Sequence, residues 1–126
     1  RIQPLKRPRS SMAPTIVYGP KGKVKYILGS PGGSRIISYV TQTIIGLIDF
    51  DLTPQEAIDY GRITSRNGTI DIEKNSTLTK VQSFLEAKGN QVKLRDLNSG
   101  LHVIAIDKDR LTGGADIRRE GIALGR

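Results

Sequence analysis

The sequence contains no cysteine, no tryptophan and a single histidine, and these absences exclude several kinds of site. Without cysteine there can be no disulfide, no thiolate metal centre and no cysteine nucleophile, and one histidine leaves little for a histidine-based metal cluster. That histidine, His102, lies in a predicted strand with no matching serine and aspartate, so we interpret it as structural. We expect the protein to use no metal and no cofactor.

Long hydrophobic runs are also missing. The longest, around residues 44–48, is far shorter than a membrane-spanning helix, so we expect no membrane span in this chain. A length of 126 residues, with 37% hydrophobic and 25% charged residues, is typical of one globular unit with a single core. We therefore treat residues 1–126 as a single domain.

Acidic residues are absent from positions 1–48, which carry eight basic side chains. Residues 49–126 carry twelve basic and twelve acidic side chains, so the whole net charge of +8 belongs to the first part. Either a cationic arm made for an anionic partner or a fragment whose acidic counterpart lies elsewhere would give this asymmetry. The opening, Arg1-Ile2-Gln3-Pro4, has no initiator methionine and no signal-peptide core, which favours a subunit or a piece of a longer protein.

The pattern along the chain predicts a mixture of helices and strands. Three prolines among Lys, Arg and Ser predict an extended basic arm over residues 1–14. Many adjacent strand pairs between helices predict an α+β fold, with helices layered on a mostly antiparallel sheet. The predicted elements of the first half are a hairpin with strands at 15–18 and 24–28, a helix at 35–50 with apolar residues at helical spacing, and a short helix that begins with a capping box at Thr53 and ends near 60. The predicted elements of the second half are a hairpin with strands at 62–66 and 69–73 that turns at Asn67-Gly68, a helix over 76–89 with Leu78, Val81 and Leu85 on one face, and strands near 92–95, 101–107 and 111–114.

A glycine-rich loop over residues 29–34 connects a predicted strand to the long helix. Backbone N–H groups are free at the start of a helix, and Gly32 and Gly33 let another group approach closely, so the loop can hold a phosphate, a carboxylate or an oxyanion. Its spacing matches neither common nucleotide-binding pattern, and a plain connection is the competing interpretation. Ser10 and Ser11 offer two hydroxyl donors to a small carboxylate, although such a pair more often fills a turn.

Two long motifs carry a resemblance to a known family. Residues 6–17 and 29–37 together closely resemble the C-terminal part of the small subunit of the γ-glutamyltranspeptidases. Residues 52–59 and 114–121 are similar to the same family, so the resemblance covers essentially the whole chain.

The resemblance implies an N-terminal-nucleophile hydrolase fold, a four-layer αββα sandwich formed when a precursor cleaves itself into two subunits. It implies that the new N-terminal threonine attacks the γ-glutamyl amide of glutathione, and that the acyl group then passes to water or to an amino acid or peptide. Ser10 and Ser11 match the serines that bind the α-carboxylate of the γ-glutamyl group. Gly32 and Gly33 match the pair whose backbone N–H groups form the oxyanion hole.

Three elements of the family's site would precede Arg1: the nucleophilic threonine, an acidic stretch that binds the substrate amino group, and a large-subunit arginine. No internal threonine can replace the nucleophile, because the mechanism uses the free α-amino group of a chain-terminal threonine. We therefore expect the 126-residue chain alone to be inactive. The implied partners are the large subunit of the same precursor and the upstream part of the small subunit, and the implied location is periplasmic or secreted in a bacterium.

Two other functions stay open. A related acylase of this fold would cleave glutaryl β-lactam side chains or act on poly-γ-glutamate, although Ser10 and Ser11 favour substrates with an α-carboxylate. A nucleic-acid-binding module would use the basic arm, but the acid-free region offers only Tyr18, Tyr26 and Tyr39 for stacking, and the rest of the chain has no net charge. We expect no nucleic-acid partner.

Overall fold

The computed structural model describes residues 1–108 and 110–125, which form two β-sheets and a set of helices, as the α+β prediction requires. None of the described helices has the length and apolar character needed to cross a membrane. The strands and α-helices are β1 (Thr15–Tyr18), β2 (Val24–Gly29), α1 (Ile36–Ile48), α2 (Pro54–Asp59), β3 (Ile63–Ser65), β4 (Ile70–Glu73), α3 (Gln82–Ala87), β5 (Val92–Arg95), β6 (His102–Asp107) and β7 (Arg110–Ala115).

The two sheets differ in strand direction. The four-stranded sheet has the order β1-β2-β6-β7 with every neighbouring pair antiparallel, and β1 and β2 form the predicted hairpin. The three-stranded sheet has the order β3-β4-β5, and its β3-β4 hairpin turns at Asn67 and Gly68, whose φ angles are 59° and 153°. β5 pairs with β4 in parallel, because the chain crosses over through α3 before it enters β5.

The core lies between the four-stranded sheet and helices α1 and α2. Side chains alternate between the two faces of a strand, so Tyr26 and Leu28 of β2 and Val103 of β6 point to the same side. α1 presents one apolar face to them, as its helical spacing predicts. The buried cluster consists of Tyr26, Leu28, Ile36, Tyr39, Val40, Leu47, Ala57, Ile58, Leu101 and Val103.

Close packing of α2 on β7 requires a glycine in the strand. A Cβ atom added to Gly114 would lie 2.9 Å from Ile58 Cδ1 and 2.9 Å from the carbonyl carbon of Pro54. Any larger residue at this position would push α2 away from the sheet.

The opposite face of the four-stranded sheet carries a row of exposed isoleucines. Ile16 pairs with Ile27, and Ile27 pairs with Ile104, so the three side chains follow one another across β1, β2 and β6. Their exposed fractions are 53%, 40% and 44%. A continuous apolar row of this kind is typical of a sheet face that another layer covers.

α2 begins with the capping arrangement that the sequence predicts. The Glu56 N–H donates to Thr53 Oγ1 at 3.4 Å, and the Thr53 N–H donates to Glu56 Oε2 at 2.8 Å. Two backbone donors that the helix itself cannot satisfy are thereby satisfied.

Replacing Thr53 by alanine should therefore lower the free energy of unfolding by about 1 kcal/mol. Thermal unfolding measures the effect. Thr41→Ala is the matched control, because Thr41 is exposed on α1 and its side chain makes no hydrogen bond with the described residues. If both variants unfold at the same temperature as the unmodified protein, the cap makes no contribution to stability.

The segment after β4 differs from its prediction. We expected one helix over 76–89 with Val81 on its buried face, but Thr77–Val81 is a 3₁₀ turn and only α3 is α-helical. Val81 is 37% exposed. The hydroxyl of Thr79 donates to the carbonyl of Ser76 at 3.0 Å, and such side-chain bonds compete with the regular helical pattern.

Candidate functional site

The β1-β2 hairpin brings the basic arm and the glycine-rich loop to the same end of the sheet. Thr15 pairs with Leu28, and the Cα of Pro14 lies 3.9 Å from the position that a Cβ of Gly29 would occupy. If this antiparallel register continued past the strands, the serine pair of the arm would face the glycine pair of the loop. The hairpin therefore places the end of the arm, at Pro14, beside the start of the glycine-rich loop, at Gly29.

Gly32 and Gly33 lie where β2 gives way to α1, as predicted. Their φ angles are 139° and 58°, in the region that favours glycine. A Cβ on Gly32 would lie 2.8 Å from the ring of Tyr39, whereas one on Gly33 would meet nothing within 4 Å. Neither backbone N–H donates a hydrogen bond to a described residue. Their role in an oxyanion hole stays a prediction.

The serine pair is divided between two environments. Ser10 is exposed, and its Oγ accepts a hydrogen bond from the Met12 N–H at 3.2 Å. Ser11 is half-buried and lines an open cavity of about 970 Å³. The same cavity is lined by Ser34, the residue after Gly33, but neither Ser10 nor the two glycines form part of its wall. Their role in binding a substrate carboxylate also stays a prediction.

The cavity carries more positive than negative charge. Its charged lining residues are Arg9, Arg66, Arg95 and Asp71. Both carboxylate oxygens of Asp71 are occupied, one by Arg35 at 3.0 Å and the other by Arg95 at 2.8 Å. Burial raises the pKa of Asp71, but the hydrogen bonds from the two arginines outweigh it and lower that pKa overall. Within the described residues, Arg9 and Arg66 form no salt bridge, so they make the cavity cationic.

A hydrogen bond connects this cavity to the glycine-rich loop. Nη1 of Arg66, at the tip of the β3-β4 hairpin, donates to Ser34 Oγ at 2.9 Å. The sequence analysis missed Arg66, because the sequence around it predicts only a turn and the contact joins residues 32 positions apart. No local pattern could have revealed it.

A separate group of charged residues is buried at the C-terminal end of α2. We call this group the buried charge network. It consists of Arg62, Glu73, Asp116 and Arg118, of which Arg62 is 0% and Asp116 is 1% exposed. Arg118 forms salt bridges with both Glu73 and Asp116, and both arginines donate to carbonyl groups of α2. Burial, followed by the neighbouring charge of Arg118, lowers the pKa of Arg62 to about 10. The network ties the chain after β7 to α2 and β4.

Two further features bear on chemistry. Across residues 1–108 and 110–125, no three His, Cys, Asp or Glu side chains cluster so that they could hold a metal ion. His102 lies in β6 with its Nδ1 3.3 Å from the carbonyl oxygen of Gly100.

Comparisons with known proteins point in one direction. The family model described as gamma-glutamyltranspeptidase matches residues 1–126. The glutathione hydrolase proenzyme of Escherichia coli (strain K12) is 38% identical over 120 residues, which are 93% of this chain and 20% of that protein. The acylase ACY 1 proenzyme of Pseudomonas sp. (strain SE83) is 31% identical, over 95% of this chain and 22% of its own length.

A solved structure from the same family is similar to this chain in fold. The gamma-glutamyltranspeptidase from Pseudomonas nitroreducens, complexed with L-DON, superposes with a TM-score of 0.88 at 32% identity, and the match covers 99% of this chain and 67% of that one. The chain spans about a fifth of the length of the curated relatives it matches.

Proposed function

Because the chain belongs to the gamma-glutamyltranspeptidase family, we propose that the protein containing it cleaves the γ-glutamyl amide of glutathione and related compounds. The chain is part of an N-terminal-nucleophile hydrolase sandwich of αββα type. The observation that carries the proposal is the family match over all of residues 1–126, since that range includes both the serine pair and the glycine pair.

The residues of this chain would serve two steps of the reaction. The hydroxyls of Ser10 and Ser11 donate to the α-carboxylate of the γ-glutamyl group and fix its position. The N–H groups of Gly32 and Gly33 donate to the oxygen that becomes negative when a threonine Oγ, from outside this chain, attacks the amide carbon. The carbon–nitrogen bond then breaks, the amine leaves with a proton, and water or a second amine takes the acyl group from the threonine.

The partners in this proposal are other parts of one precursor. The names of the relatives are those of proenzymes, which implies a precursor that is cleaved into subunits. We assign the nucleophilic threonine to the upstream part of the small subunit and further substrate contacts to the large subunit. The exposed row of Ile16, Ile27 and Ile104 supports an additional layer on that face of the sheet. By family resemblance, the protein acts in the periplasm or outside a bacterial cell.

An acylase is the second candidate. The observation that favours it is the 31% identity to the acylase ACY 1 proenzyme, which is a relative of similar coverage. Both substrate groups carry a carboxylate that the arm can bind, but a γ-glutamyl group also carries an α-amino group and a stereocentre, which a glutaryl group lacks. Substrate choice therefore separates them.

The test compares the full-length protein with the 126-residue chain on a γ-glutamyl anilide and a glutaryl anilide. We expect the full-length protein to release the chromophore from the γ-glutamyl compound, and the chain alone to release none, because losing the nucleophile removes most of the catalysis. Release from the glutaryl compound alone would establish the acylase instead. Release by the purified chain above a buffer control would show that the nucleophile lies within residues 1–126.

A further inference from the structure

Arg66 has the properties of a ligand-binding side chain rather than of a structural one. It is exposed at the cavity wall, and among the described residues it has one hydrogen bond, to Ser34 Oγ, and no salt bridge. A guanidinium has five N–H donors in a fixed planar fork, so most of its donors remain available. The bond to Ser34 restricts the Arg66 side chain. That side chain would therefore lose less conformational entropy when a ligand binds to it.

The charge around Arg66 favours a carboxylate. The only acidic residue in the described wall of the cavity, Asp71, already has an arginine on each of its two oxygens. Arg9 adds a second unpaired positive charge to the same wall. An anionic group entering the cavity thus meets no free competing carboxylate, and the planar fork of an arginine matches a carboxylate bidentately.

Arg66 contacts the residue that directly follows the glycine pair. The Cα of Ser34 lies about 3.8 Å from that of Gly33, and Arg66 Nη1 lies 2.9 Å from Ser34 Oγ. A dipeptide extends about 7 Å from its amino nitrogen to its carboxylate. A peptide whose nitrogen lies at a carbonyl held by the glycine pair would therefore bring its carboxylate into the range of Arg66.

We propose that Arg66, held beside the glycine-rich loop by Ser34, binds the terminal carboxylate of the amine component of the reaction. The inference rests on the proposed γ-glutamyl transfer and adds a second carboxylate subsite to it, on the amine side of the scissile bond. The amine component is the leaving peptide in the first half of the reaction and the acceptor in the second. Because amines leave and enter at the same carbonyl, one subsite serves both.

The test uses the full-length protein and its Arg66→Gln and Arg66→Lys variants. In the acceptor arm, γ-glutamyl-p-nitroanilide is the donor, and glycylglycine is compared with glycylglycine amide, which lacks the carboxylate. In the leaving-group arm, hydrolysis of glutathione is compared with hydrolysis of the anilide, whose leaving group carries no carboxylate. Arg110→Gln is the matched control, because Arg110 is an exposed arginine of β7 that is not part of the cavity wall.

We expect Arg66→Gln to raise KM for glycylglycine and for glutathione by about tenfold to a hundredfold, the range of a lost hydrogen-bonded charge. KM for glycylglycine amide and for the anilide should change by less than about twofold, since a uniform loss would need a structural cause. Arg66→Lys should recover part of the loss, because it keeps the charge without the planar fork.

Equal changes for the acid and the amide, or no change for either acceptor and for glutathione, would overturn the inference. A carboxylate effect in only one arm would limit the subsite to the leaving peptide or to the acceptor, and would contradict the single shared subsite. If the unmodified full-length protein hydrolyses no γ-glutamyl compound, the proposed function itself fails and the inference falls with it.

Discussion

Replacing Ser10 and Ser11 together by alanine in the full-length protein should raise KM for a γ-glutamyl donor by about two to four orders of magnitude. Two hydrogen bonds to a charged carboxylate are lost, at about 1.5–3 kcal/mol each. Because the carboxylate is bound in the ground state and in the transition state alike, kcat should fall much less. Steady-state kinetics measures both constants, after gel electrophoresis has shown that the variant precursor is cleaved into two subunits.

A substitution of Gly33 supplies the contrast. Its φ of 58° is strained for a β-branched residue, so Gly33→Val should displace the N–H groups of the loop, although a Cβ atom at this position meets no neighbour within 4 Å. In the proposed oxyanion hole these donors face a charge that develops only in the transition state, so kcat should fall, by about 10²-fold or more, and KM should change little. An unchanged KM in the double-serine variant would remove Ser10 and Ser11 from the substrate site.

The second large effect concerns stability. Asp116→Ala should lower the free energy of unfolding by about 3–5 kcal/mol, because it leaves the two arginines of the buried charge network with a single carboxylate, that of Glu73. Asp116 accepts hydrogen bonds from the Ser99 hydroxyl, from the Leu101 N–H at 3.1 Å and from Arg118, so several groups lose a partner at once. Urea unfolding measures the difference. Asp49→Ala, at an exposed position after α1, is the control and should change stability by less than about 0.5 kcal/mol.

The same residue gives a pH dependence with a definite sign. Burial raises the pKa of Asp116, but hydrogen bonds from Ser99, Arg118 and Leu101 outweigh it, and the pKa in the folded protein lies below its ordinary value. The stability it contributes is therefore complete above about pH 4, the unfolded pKa of an aspartate, and is lost as pH falls through the lower folded value. The stability of Asp116→Asn should depend less steeply on pH below about pH 4 than that of the unmodified protein. Equal slopes for the two proteins would show that Asp116 is not the responsible group.

Local chemistry made most of the secondary structure predictable. The capping box at Thr53, the Asn67-Gly68 turn and the apolar spacing of α1 are each decided by neighbouring residues, and the structure confirms all three. The 3₁₀ turn at Thr77–Val81 was missed because hydroxyl side chains compete with the helix there.

The parts that were not predictable depend on contacts between distant residues. The sequence predicts that Ser10, Ser11, Gly32 and Gly33 carry the chemistry, through composition and family resemblance. It contains no signal that Arg66 meets the loop at Ser34, or that charged residues from three separate segments are buried together. Such pairs become visible only once the fold has brought them together.

A β-bulge in the β1-β2 hairpin separates the length of its surface turn from the alignment of the two motifs. Val17 pairs with Tyr26, but the next residue, Tyr18, pairs with Val24, so Lys25 is an extra residue on β2. If one residue is deleted at the tip, the bulge can convert to regular pairing and the register of the rest of the hairpin is kept. A one-residue shift in register between Val17 and the ends of the strands would instead turn Tyr26 out of the core. The tip of this hairpin is therefore a suitable place to insert a peptide tag or attach a fluorophore, because the change in length need not reach the end of the hairpin next to the serine and glycine motifs.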